Sequence, residues 1–97
     1  MGKKFYEIGL MGKSEMTTDA PHDYVTLDWD DDFETAAEAR KRAKELSKKC
    51  PFKTFGHGLE ILAVQITCHS DEEDVSSYYL HWSELYENGK MVWRLDY

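Results

Sequence analysis

His81, Ser83 and Asp96 are the residue types that make a nucleophile, its base and the acid that orients the base. Asn88-Gly89 is a strong two-residue hairpin signal, because a type I′ turn needs positive φ at both central positions. If Glu87 faces Lys90 across it, counting outward sets His81 opposite Asp96 and Ser83 opposite Arg94, all on one face. A mid-strand serine, however, has its neighbouring N–H groups spent on the sheet, with none left to hold an oxyanion. A small enzyme built on this hairpin is therefore carried as an alternative, and the expectation is no enzyme.

The stretch LDWDDDFETAAEA, from Leu27, sets five carboxylates ahead of an alanine-rich run. Asp28, Asp30 and Asp32 fit the first, third and fifth positions of a calcium loop. The sixth position, which must turn sharply, is Phe33 rather than Gly, and the twelfth is Ala39 rather than a bidentate Glu. What fits better is a helix start, where unpaired N–H groups and the helix dipole favour negative charge. Capping needs fewer acids than this, so Asp30, Asp31, Asp32 and Glu34 are candidates for contact with a partner.

His57, His69, Cys50 and Cys68 are zinc-ligand types without the short chelating spacings of a zinc site. Gly56 and Gly58 flank His57 as turn residues, with no phosphate-binding pattern. No metal and no cofactor are expected. The cysteines read as reduced, partly buried small side chains.

These residues must be positioned by a chain of 97 residues, which fits one domain with one small core. FYEIGLM alternates with Tyr6, Ile8 and Leu10 on one face; YVTLDW does so with Val25, Leu27 and Trp29. Two strands follow, joined by a long polar loop. Ala36, Ala39, Ala43, Leu46 and Cys50 then recur at spacings of three and four, predicting a helix over 35–49 that Pro51 ends. Thr35 and Glu38 have capping-box spacing. LEILAVQITCH is a strand with Leu62, Val64, Ile66 and Cys68 on one face, and the terminal hairpin adds two more. The expected fold is α+β in the order ββαβββ, a mainly antiparallel sheet with the helix on one face.

One helix covers one side of a sheet. The turn register assigns Leu80, Trp82, Tyr86, Met91, Leu95 and Tyr97 to the helix side. It leaves Leu85 and Val92 on the outer face, where they join Tyr79 as candidate partner contacts. Six of the nine Tyr and Trp residues lie in the last 20 positions, and such residues anchor interfaces as well as cores.

Residues 40–53 carry seven cations against Glu45, a local +6, within a chain of net charge −7. A nucleic-acid-binding module using that basic helix face is the second alternative, although the net charge opposes long-range attraction to phosphate. With no apolar run long enough to span a bilayer and no signal-peptide core, the chain is expected in the cytoplasm, away from membranes. The leading expectation is a non-enzymatic accessory or regulatory module of a bacterium or its phage, binding a protein through an acidic and aromatic surface. Its sharper form is an inhibitor that offers carboxylates, including the 71–74 run, where a nucleic-acid-binding enzyme expects phosphates. A homodimer through the uncovered sheet face is a further expectation.

Overall fold

The structure, a computed structural model, describes residues 3–54, 58–70 and 79–97. Strands β1 (Lys4–Gly12) and β2 (Val25–Trp29) are followed by helix α1 (Ala36–Lys48). Then come two-residue strands β3 (Phe52–Lys53) and β4 (Glu60–Ile61), and the longer β5 (Ala63–Ser70), β6 (Tyr79–Glu87) and β7 (Lys90–Asp96). The main sheet runs β2-β1-β5-β6-β7 with every neighbour antiparallel, while β3 and β4 form a separate ribbon. This is the expected α+β arrangement, with the ribbon added. The LEILAVQITCH segment breaks at Leu62, whose N–H donates to the Met11 carbonyl at 2.8 Å, so Ile61 and Val64 reach the same core.

Helix α1 packs on β5, β6 and β1. Thr35 caps it as the spacing predicts: its hydroxyl accepts from the Glu38 N–H at 3.2 Å, and the Glu38 carboxylate accepts from that hydroxyl at 2.8 Å rather than from the Thr35 N–H of a full capping box. Ala39 and Ala43 are fully buried against Ile8, Val64, Ile66 and Tyr86. Small side chains let the helix backbone lie close to the sheet, and the large residues then come from the strands. At the far end, buried Ser47 accepts the Gly89 N–H at 2.8 Å and donates to the Lys44 carbonyl, tying the helix to the hairpin turn. Asn88 and Gly89 have φ of 50° and 79°, as a type I′ turn demands.

A charged cluster closes the helix side near Trp82. The Glu84 carboxylate, almost wholly buried, receives Arg40 Nε and Nη2 at 3.0 and 2.9 Å, Arg94 Nη1 at 2.6 Å and the Tyr86 hydroxyl at 2.8 Å. Both guanidiniums also lie over the Trp82 ring, at 5.0 and 4.6 Å from its centroid. Burial pushes the Glu84 pKa up, but the hydrogen bonds from Arg40 and Tyr86 and the arginine charges outweigh it and hold the carboxyl below 4.5. Burial and the Glu84 carboxylate push Tyr86 up to about 12.

Three one-residue bulges decide which side chains face where. Leu10 pairs with Asp28 and Met11 with Thr26, making Leu27 the extra residue; Leu27 joins the helix-side core and Trp29 turns to the opposite face. This corrects the expected alternation of Val25, Leu27 and Trp29. Cys68 pairs with Trp82 and His69 with Leu80, so His81 is extra. On the hairpin, Leu85 pairs with Trp93 and Tyr86 with Met91, which makes Val92 extra. Beyond Val92 the register is one residue off the two-residue-turn count, because a bulge inserts one unpaired position and flips every later side chain.

Candidate functional site

No described helix packs on the sheet face opposite α1. Reading across the strands, one row holds Trp29, Gly9, Gln65, Leu85 and Trp93, and the next holds Glu7, Thr67, Ser83 and Leu95. Phe5, His69 and Leu80 form a third. Trp29 lies beside Gly9 of β1, where a Cβ would sit in ordinary contact 3.5 Å from the indole. Trp29 remains 57 % exposed, and Leu80, Leu95 and Tyr97 are exposed to a similar degree.

Between these apolar groups the face is polar and internally bonded. The Ser83 hydroxyl meets the Tyr97 hydroxyl at 3.0 Å and Thr67 Oγ1 at 3.4 Å. His69 Nε2 lies 3.0 Å from a Glu7 carboxylate oxygen, and its ring stacks on Phe5 with centroids 5.2 Å apart. Toward the hairpin turn the face is already covered. Tyr24 and Trp93 pack over Met11, Ala63 and Leu85, and the Tyr24 hydroxyl donates to Glu87 at 2.9 Å while His22 pairs with the same carboxylate. Burial, then the adjacent Glu87, pushes Tyr24 up to about 12. The β1–β2 loop that carries Tyr24 is stitched by its own bonds, Lys13 Nζ to the Thr18 and Ala20 carbonyls and Thr18 to Asp23.

The acidic run borders this face beside Trp29. Asp30, expected among the partner contacts, is engaged within the molecule: Arg42 Nε and Nη2 bind its carboxylate at 2.8 and 3.3 Å, and its N–H donates to the Ile8 carbonyl. Asp31, Asp32 and Glu34 are exposed, with Lys3 3.4 Å from Glu34. Phe33 holds the run against β1 through reciprocal hydrogen bonds with Tyr6 at 2.9 Å.

The remaining candidates do not assemble as the sequence suggested. Leu85 is on the open face but only 1 % exposed, beneath Tyr24 and Trp93, so it offers no contact surface. Tyr79 pairs with Ser70 and so belongs to the helix side, and Val92 sits in the bulge of the outer strand. His81 is not opposite Asp96, which faces Trp82 instead. His81 Nε2 lies 2.7 Å from Ser70 Oγ, Ser83 bonds Tyr97, and the Asp96 carboxylate bonds Arg94. The three side chains of the suspected triad thus have separate partners.

Among the described residues no three His, Cys, Asp or Glu side chains are grouped to hold a metal; His57 and the 71–74 acids lie outside them. Cys50 and Cys68 are unbridged thiols, and burial pushes the Cys50 pKa up to about 11. On the basic helix, Arg40 and Arg42 bind Glu84 and Asp30, leaving Lys41, Lys44, Lys48 and Lys49 toward solvent. No described helix is long and apolar enough to cross a membrane. The chain matches no known family model, curated protein or solved structure.

Sequence reasoning missed Trp29, Leu80, Leu95 and Tyr97 as surface groups. The last three were assigned to the helix side by a register that has no bulge. Nothing in the local sequence marks Leu27 as the residue that reverses Trp29.

Proposed function

We propose that the protein is a non-enzymatic protein-binding module whose contact surface is the helix-free face of its sheet. Its partner is a folded protein with an apolar patch rimmed by basic residues. The observation that carries this reading is the exposed array of Trp29, Leu80, Leu95 and Tyr97. A solvated face of an antiparallel sheet is ordinarily polar outward, and large aromatic and aliphatic groups gathered on one face are what interface centres are made of. Glu7, Gln65 and Thr67, all half-buried, supply hydrogen-bonding groups among them, and Asp31, Asp32 and Glu34 form the acidic border that favours a basic rim.

The test compares three tagged forms of the protein in parallel affinity isolations: the parent, Trp29→Ser with Leu95→Ser, and Lys41→Glu with Lys44→Glu. A partner retained by the parent and the lysine variant but lost by the open-face variant supports the reading. A partner lost only with the lysines overturns it in favour of the basic helix face.

A further inference from the structure

The outer edges of the sheet differ in a way that bears on self-association. Strand β2 is short, bulged at Leu27 and followed by Asp30, Asp31 and Asp32, so two copies of that edge would bring like charges together. Strand β7 is longer, and past the Val92 bulge it runs regularly to its end. The Tyr97 N–H donates to the His81 carbonyl at 3.1 Å. Main-chain groups alternate between the two sides of a strand. Tyr97, Leu95 and Trp93 therefore direct theirs to β6, whereas Arg94 and Asp96 direct theirs outward, where no described strand receives them.

From this edge we infer that the protein forms a two-fold symmetric dimer by antiparallel pairing of β7 with β7 of a second copy, centred on Leu95. A two-fold perpendicular to the sheet keeps side chains on their own face, so the residue at the centre must face its own copy. Centring on Arg94 would oppose two guanidiniums. Centring on Leu95 places Arg94 opposite Asp96 of the partner subunit and Asp96 opposite the partner subunit's Arg94. It also sets Trp93 beside Tyr97 of the partner subunit on the open face. Arg94 and Asp96 are the residues whose main-chain groups point outward, so this register forms about four inter-subunit hydrogen bonds at the charge-matched positions. Arg94 already holds Asp96 of its own chain at 2.9 Å, and the dimer converts the two intrachain pairs into a ring of alternating charge.

The geometry differs from a face-to-face dimer: it joins two five-stranded sheets into one of ten and leaves both open faces uncovered, so it does not depend on the reading above. In this register Leu95 meets its own copy at a non-hydrogen-bonded site, with Cα atoms about 4.5 Å apart, within disulfide reach.

The experiment is sedimentation velocity of the parent at low and high micromolar concentration, together with three variants. Asp96→Pro removes the outward N–H while leaving the bonds to β6 intact, as proline is tolerated on an edge. The expected result is a parent dimer, an Asp96→Pro monomer with the parent's circular dichroism, and Asp96→Lys dimerisation weakened roughly tenfold or more. In a Cys50→Ser background, Leu95→Cys should cross-link to a covalent dimer on mild oxidation, and Met91→Cys should not. A parent that stays monomeric overturns the inference. So does a dimer that persists in both Asp96 variants, or one in which Met91→Cys cross-links and Leu95→Cys does not.

Discussion

Glu84 shows how one buried charge is retained. Its carboxylate accepts four hydrogen bonds from three residues, and both arginines keep about a third of their side-chain surface in water, 39 % for Arg40 and 34 % for Arg94. Removing the acid leaves them able to rehydrate, so Glu84→Gln should cost about 1–3 kcal/mol rather than the larger penalty of stranding a fully buried charge. The folded carboxyl titrates below 4.5, its ordinary value. Its contribution is thus fully present above pH 4.5 and is lost as the pH falls through the lower folded value. Urea unfolding at pH 7 and pH 3 should show a gap between parent and Glu84→Gln that narrows in acid; a gap that widens would contradict the assignment. Gly12 makes a different residue-level prediction. A Cβ there would collide with the Glu60 carbonyl and the Leu27 side chain. Gly12→Ala must push β4 away, and a thermal melt should show a loss of about 1–3 kcal/mol. An unchanged melting temperature would mean that the ribbon yields without cost.

At the scale of elements, the helix was legible because its signals are local: the Thr35 cap, the alanine spacing and Pro51 are all read within one segment. The same holds for the Asn88-Gly89 turn. Ala43→Glu should place an unpaired charge against Ile8 and Val64 and cost about 3 kcal/mol or more. A circular-dichroism melt matching the parent would refute the packing. What could not be read were the three bulges. Leu27, His81 and Val92 look like ordinary members of alternating strands, and only the pairing partner shows that each is extra. A slip of one residue exchanges faces, which moved Trp29, Leu95 and Tyr97 outward and separated His81 from Asp96. The Glu84 cluster had a readable trace: a glutamate between Trp82 and Tyr86 on the helix-facing set, with Arg40 beside the alanine stripe. Leu85 was placed on the correct face, yet the loop that buries it with Tyr24 comes from 61 residues earlier in the chain, beyond the reach of a local pattern.

For the whole molecule, charge and shape divide by face. The helix side holds the core and the arginine pairs, with the lysines and Tyr79 toward solvent; the opposite side carries exposed Trp29, Leu80, Leu95 and Tyr97 beside an acidic border. Because Arg42 already binds Asp30, calorimetric titration with Ca²⁺, Mg²⁺ or Zn²⁺ should reveal nothing tighter than about millimolar at the 28–34 run. Micromolar binding would mean that the arginine gives way to a metal. The central claim is that a protein partner docks on the open sheet face, and aromatic anchors at the middle of such a contact govern its lifetime more than its encounter rate. The most direct measurement is surface-resonance dissociation of the isolated partner from parent, Trp29→Ala and Lys44→Ala. Trp29→Ala should dissociate about tenfold faster or more, with Lys44→Ala like the parent; a Trp29 variant that dissociates like the parent while Lys44→Ala releases the partner would place the contact on the helix and contradict the account.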